Sequence, residues 1–163
     1  MKRSILLFVI LSVTLVLNSG AQAQFPDVTI QDIQTVDPDS LAIGIDDSPF
    51  LDDTVTTRGI VVFPPGLSSS VPQGAAVVYI VDPAGGGEYS GMNVLTQANE
   101  GNLLGGFQLG DSIRVTGLIE EFEGSGDVPG SLTQLRPIQT PDLLGFVAPP
   151  EPVEIDPAEF AGT

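Results

Sequence analysis

The stretch 110–122, GDSIRVTGLIEEF, constrains the fold more than any other part of the chain. After a Gly-Asp turn, Ile113, Val115, Gly117 and Ile119 fall on one side, and Ser112, Arg114, Thr116, Leu118 and Glu120 on the other. This period of two predicts a half-buried β-strand. Gly117 interrupts the buried side and predicts a bulge or a tight bend. Residues 53–62 repeat the form: Val55, Thr57, Gly59 and Val61 share a face, again with a glycine among them. Two such ribbons fit a small, strongly curved barrel.

The rest of the chain supplies partners for them. The first strand, 54–63, stops at Pro64-Pro65-Gly66, because proline cannot donate to the next rung of a ladder. A loop with Ser and Pro covers 67–73. The apolar run 75–81 predicts a buried strand with Val77, Tyr79 and Val81 on one face. Residues 82–87, DPAGGG, form a turn, and 88–96 return as a third strand with Met92 and Val94 facing the core. Asn99, Gly101, Gly105 and Gly106 oppose a long helix in 97–109. Leu103, Leu104, Phe107 and Leu109 still need burial, which predicts a short helical turn plugging one barrel end. The opening stretch is the fourth strand, 123–130 a long turn, and 131–137 the fifth strand, with an extension to Gln139 open. Upstream, 28–34 (VTIQDIQ) reads as a first strand or one helical turn. The Asp-, Pro- and Ser-rich stretch 35–53 reads as an ordered loop pinned by Leu41, Ile43, Ile45, Phe50 and Leu51.

Both ends differ from this middle. Lys2 and Arg3, the apolar run 5–17 and Ala21-Gln22-Ala23 make the three parts of a secretory signal, with cleavage expected after Ala23. The run is short for a membrane span, so a secreted or cell-surface product with no membrane contact after cleavage is expected. The chain has no cysteine, so stability in an oxidising compartment must come from the apolar core; no cofactor is expected, with bound Ca²⁺ as an open second source. From Thr140 onward, five prolines make an extended acidic segment. Val153-Glu154-Ile155 there echoes Val28-Thr29-Ile30, as a second module continuing beyond Thr163 would. The expected organisation is a signal peptide (1–23), an N-terminal segment with an acidic loop (24–53), a barrel (54–139) and a Pro-rich linker (140–163).

The order and spacing of several short pieces carry a family resemblance. They are the TIxxIQ opening in 28–34, Ser48-Pro49-Phe50 with Asp53-Thr54-Val55, Arg58-Gly59-Ile60-Val61, Tyr89-Ser90-Gly91-Met92-Asn93-Val94, 110–122 and Leu132-Thr133-Gln134-Leu135. Across 28–137 the chain resembles the OB-type domain of secreted bacterial multidomain proteins. These include extracellular nucleases of the endonuclease/exonuclease/phosphatase type. The resemblance implies an all-β fold: a five-stranded OB-fold-like barrel with a short capping segment between strands 3 and 4. It also implies an accessory, non-catalytic role, the catalytic domain lying elsewhere. This chain has no counterpart of the nuclease's histidine and metal-binding motifs, and no histidine at all.

Charge and residue types then narrow the function. Arg58, Arg114 and Arg136 are the only cations after the signal, set against 21 Asp and Glu, a net charge of about −18. Such a field repels nucleic acid and attracts cations. Nucleic-acid binding by this fold uses aromatic platforms and basic groups on strands two and three, which makes Tyr79, Tyr89, Arg58 and Arg114 the candidate ligand-binding residues. Against that, Tyr79 shares a face with Val77 and Val81, as a core residue would, and the two arginines alternate with core residues, as ordinary outer charges do. Without His or Cys, metal binding is through oxygen alone. Asp46, Asp47, Asp52 and Asp53 are the candidate Ca²⁺ ligands, with Asp37 and Asp39 as a second pair; the alternative is a solvated acidic loop, since no EF-hand spacing occurs. Ser-His and Cys-His pairs are excluded, Gly124-Ser125-Gly126 lacks the nucleophile-elbow pattern, and Gly85-Gly86-Gly87 lacks the P-loop lysine. The expectation is therefore a secreted non-catalytic binding module for a macromolecular or carbohydrate ligand. The alternatives are a nucleic-acid-holding accessory domain of an extracellular nuclease and a spacer of a surface protein.

Overall fold

A computed structural model describes residues 25–68, 73–85, 87–123 and 130–151. The expected signal peptide, residues 124–129 of the long turn and the Val153-Glu154-Ile155 echo lie outside the described residues. The elements in chain order are α1 (Ile30–Gln34), α2 (Pro38–Ala42), β1 (Thr54–Phe63), β2 (Ala76–Val81), β3 (Gly91–Thr96), β4 (Asp111–Glu123), β5 (Ser131–Pro137) and β6 (Asp142–Phe146). The protein is mostly β, and its six strands form one sheet.

That sheet closes on itself through β4. One edge of β4 pairs antiparallel with β1, from Thr54↔Leu118 to Ile60↔Ser112. Its C-terminal half pairs with β5 and its first residues pair with β6. β1 continues to β2 and β2 to β3, both antiparallel, and β3 meets β5 in parallel at Asn93↔Gln134. The ring therefore runs β1-β2-β3-β5-β4 and returns to β1. Here the expectation of five strands is corrected: β6 is a sixth, in a segment read as linker. All five of its residues are exposed, and among the described strands it pairs with β4 alone.

The alternation read in the sequence does place the core. Val55 and Val61 of β1, Met92 and Val94 of β3, Ile113, Val115 and Ile119 of β4 and Leu135 of β5 enclose one apolar cluster. Neither Gly59 nor Gly117 marks a bulge, because the β1–β4 register is continuous through both. Each instead permits a close approach. A Cβ on Gly117 would run into Leu135 Cδ2 and lie 2.5 Å from the Arg136 carbonyl oxygen; one on Gly59 would lie 2.7 Å from Ile80 Cβ. The small residues let the sheet curl where its inside is tightest.

β2 reverses its expected orientation. Val78 and Ile80 enter the core, while Val77, Tyr79 and Val81 take the outer face. Both faces of this run are apolar, so its period could not choose between them.

The plug also differs. Residues 103–106 form turns, not a helix; Leu104 is buried there, while Leu109 is exposed. α1 does much of the filling, with Ile30 and Ile33 wholly buried in the same cluster. Thr29 and Asp32 make it a helix. The Thr29 hydroxyl accepts from the Asp32 N–H at 3.0 Å, and the Asp32 carboxylate accepts from the Thr29 N–H at 3.0 Å, a capping box. Hydrogen bonds from the Thr29 hydroxyl and amide hold the Asp32 carboxyl below its ordinary value. The contribution of this clamp is complete above the ordinary value of 3.8 and is lost as the pH falls through the lowered one. Gln34 then donates to the Gly91 carbonyl at 2.8 Å, tying α1 to β3.

Polar contacts, not the expected aliphatic ones, fasten 35–53. Leu41, Ile43, Ile45 and Leu51 are exposed, Ile43 by 75%, and only Phe50 of the five packs on the core. The Glu121 carboxylate accepts from the Ser48 amide, the Ser131 hydroxyl and the Thr133 hydroxyl, at 3.0, 2.9 and 2.7 Å. Ser48 donates its own hydroxyl to the Ile33 carbonyl at 2.6 Å.

Two substitutions test this packing. Thr57 is wholly buried, and its hydroxyl has no hydrogen-bond partner among the described residues. An orphan of this kind costs about 1–3 kcal/mol, so Thr57→Val raises stability by about 1 kcal/mol in chemical denaturation; a loss would show that the hydroxyl is used. Gly117→Ala lowers stability by about 1–3 kcal/mol, and an unchanged midpoint would show that the close approach is not real.

Candidate ligand-binding site

The expected binding residues do not form one cluster. Arg58 and Arg114 are direct cross-strand partners on the outer face of β1 and β4. Like charges so placed repel, and Asp27 answers both, its Oδ2 lying 3.3 Å from each guanidinium. Asp27 is held there by main-chain pairing, since the Val28 amide donates to Thr56 O and the Thr56 amide to Pro26 O. A cleft of about 390 Å³ opens beside this triad, with Asp32 and Asp82 also on its wall. The third arginine, Arg136, bridges Glu120 at 3.0 Å and Glu100 at 3.4 Å. Each arginine after the expected signal therefore has a carboxylate partner.

Tyr79 stands on the outer face of β2 and is 40% exposed, which settles the orientation left open by its neighbours. The Phe63 ring supports it edge-on, 5.5 Å between centroids at 89°. Tyr89 is elsewhere: it lies in the turn before β3, not in the strand expected from residue 88, with a left-handed φ of 62°.

The four aspartates considered for Ca²⁺ have separate surroundings. Asp46 accepts from the Ser131 amide at 2.7 Å. Asp47 is exposed. Asp52 and Asp53 lengthen the β1–β4 pairing through their main chains, the Asp52 amide donating to Ile119 O and Asp53 O accepting from the Ile119 amide. Among the described residues, no three Asp, Glu, His or Cys side chains gather as a metal site would need.

Pairing across the ring adds two residues that the sequence did not single out. Tyr79 pairs with Asn93, Asn93 with Gln134 and Gln134 with Glu120, all on the outer face. Gln134 Nε2 donates to Glu120 Oε2 at 3.4 Å. Asn93 is only 8% exposed, and its Oδ1 is buried without a hydrogen-bond partner among the described residues. Two residues further along the same face of β3, Leu95 enters the wall of an open cavity of about 460 Å³, lined also by Ala75, Thr96, Gln97, Ala98 and Asn99. None of its described lining residues is charged. The volume is that of a small-ligand pocket.

The arginine triad gives a direct electrostatic check. Asp27→Ala leaves two guanidiniums opposed and lowers stability by about 0.5–1 kcal/mol in dilute buffer. The difference shrinks in about 1 M salt, where the screening length is about 3 Å. Thermal melts at both ionic strengths measure it, and a loss independent of salt would assign Asp27 a packing role instead.

No family model matches the chain, and no curated protein matches it. Among solved structures it is similar to the OBody AM2EP06 bound to hen egg-white lysozyme, with 16% identity and a TM-score of 0.45 over 60% of this chain and 85% of that one. It is also similar to a chain described as an aspartyl-tRNA synthetase from Leishmania major Friedlin, with 10% identity and a TM-score of 0.48 over 78% of this chain. The match spans 22% of that synthetase chain.

Proposed function

We propose that this chain is a secreted, non-catalytic binding module of an exported bacterial protein, built as an OB-like barrel with β6 added outside it. The strand order around the ring, with β3 and β5 parallel, supports the OB reading. Lys2, Arg3, the apolar run 5–17 and the Ala-Gln-Ala site support export. The observation that carries the binding role is Tyr79. A tyrosine braced by Phe63 and left open on the second strand of the ring is a rigid platform at low entropic cost. It lies on the face where proteins of this fold take their ligands.

A second reading is an accessory domain that holds nucleic acid for an extracellular nuclease. The adjacent Arg58 and Arg114 favour it. The shared Asp27 and the net charge work against it, leaving bridging cations as the route by which phosphate would be held.

NMR titration of the mature chain against extracellular polymers tests the binding role. Single-stranded DNA with and without Ca²⁺ or Mg²⁺ is included in the set. The shifts expected on binding centre on β2 and β3, and Tyr79→Ala weakens affinity about tenfold, the scale of one lost stacking contact. Shifts confined to other surfaces, or none with any polymer, would overturn the assignment of the face.

A further inference from the structure

We infer that the turn closing α2, residues 40–45, is a docking surface for a short cationic, apolar segment of another protein. None of these residues belongs to the ring of strands, so the surface goes beyond the strand-face reading and is independent of it.

The backbone of this turn holds aliphatic side chains away from the core. The Ile45 amide donates to Ser40 O at 3.0 Å and the Gly44 amide to Leu41 O at 3.0 Å, with Gly44 at a left-handed φ of 81°. This pair of bonds is the Schellman ending of a helix. In that motif the residue after the glycine commonly packs on an apolar side chain at the position that Ser40 takes here. Serine offers no such surface, and Ile45 is left exposed, as are Leu41 and Ile43. At 75%, Ile43 is the most exposed large apolar side chain among the described residues. The segment is nevertheless tied down on both sides. The Thr35 amide donates to Gln31 O before it; after it, Asp46 accepts from the Ser131 amide and the Ser48 amide donates to Glu121. An apolar patch already held in place binds without the entropic cost of assembling a loop, and exposed patches of this kind mark contact sites.

Charge selects the occupant. Residues 37–53 hold six Asp and no Lys or Arg. Asp37 and Asp39 precede the aliphatic residues and Asp47 follows them, all three exposed. Arg58, Arg114 and Arg136 bridge carboxylates elsewhere, at Asp27, Glu100 and Glu120. A second copy of the chain would bring the same carboxylates against this rim, and an anionic membrane would be repelled by it. The chain's own residues 152–163 carry Glu154, Asp156 and Glu159 and no cation. A segment whose Lys or Arg flank aliphatic or aromatic side chains matches both features: its anchors cover Leu41, Ile43 and Ile45, and its cations meet the aspartates. Three side chains offer little area, which suits a short segment and not a whole domain face.

NMR and calorimetric titration of the mature chain with a synthetic peptide alternating leucine and lysine test the assignment. Shifts are expected to centre on 41–45. A peptide with serine in place of leucine is expected to bind at least tenfold more weakly, and one with glutamate in place of lysine not to bind. Ile43→Ser lowers affinity for the leucine–lysine peptide about tenfold, the scale of one aliphatic side chain covered, and leaves the melting temperature unchanged because the side chain is exposed. Leu143→Ser removes an exposed aliphatic side chain from β6, which pairs with the opposite end of β4, and leaves affinity unchanged. Equal affinity for the serine–lysine peptide, or shifts spread over the acidic surface, would reduce the effect to net charge and overturn the proposal. So would equal losses from Ile43→Ser and Leu143→Ser. Concentration-dependent shifts at 41–45 without peptide would assign the patch to self-association, and binding of phosphatidylcholine vesicles through 41–45 with no peptide binding would make it a membrane contact; either result ends the proposal.

Discussion

The structure depends on β4 having a partner along both edges. A strand of thirteen residues meets β1 on one side and β5 followed by β6 on the other, so the closing seam, the core and the last strand all refer to one backbone. Closure on that scale forces strong curvature, and curvature brings inward-facing atoms together. Gly117 sits where β1 and β5 both pair with β4, opposite Val55 and Pro137. Its missing side chain is what admits Leu135 and the Arg136 carbonyl there. The continuous register shows that the bend is achieved without an extra residue, so the inside/outside alternation survives along the strand. An inserted residue would have turned the later side chains to the wrong face.

A closed ring of short strands still has open ends, and without disulfides these must be sealed by packing. Ile30 and Ile33 do this at α1, and Leu104 does it from the turns before β4. The segment joining α1 to β1 is acidic and short of buried side chains, so its hold is polar. Glu121 gathers donors from Ser48, Ser131 and Thr133, and Asp46 caps the start of β5. The acidic residues are thus only partly a solvation shell. Several of them are the acceptors that fix backbone amides where the chain leaves the sheet.

How far the sequence revealed this depends on what each pattern could encode. β1 and β5 begin and end where alternation and proline said, and the core side of β4 is the one its period assigned, because a single buried face leaves one consistent reading. β2 is apolar on both faces, and its orientation follows from pairing with Met92 and Asn93, not from its own composition. β6 was hidden for a related reason: Leu143, Leu144 and Phe146 are all exposed, so no alternation marks them, and the prolines around them read as linker. Tyr79 and the two arginines were legible as site candidates by residue type. Asn93 and Gln134 were not, since they are 41 positions apart in sequence and become neighbours only through the parallel β3–β5 pairing. A lone amide in a strand carries no signal until its register partner is known.

The same distinction governs the electrostatics. From composition alone the three arginines look like the scarce cations of an acidic protein, and therefore like its anion-binding groups. Their placement argues the reverse. Arg58 and Arg114 face each other across a ladder and need Asp27 to coexist; Arg136 holds Glu120 and Glu100 together at the junction of β4, β5 and the loop after β3. A charge committed to an internal partner is available to a ligand only if the ligand displaces that partner, leaving a carboxylate exposed to an already negative surface. The described lining of the cavity beside Leu95 is neutral, so no ion pair there has to be exchanged.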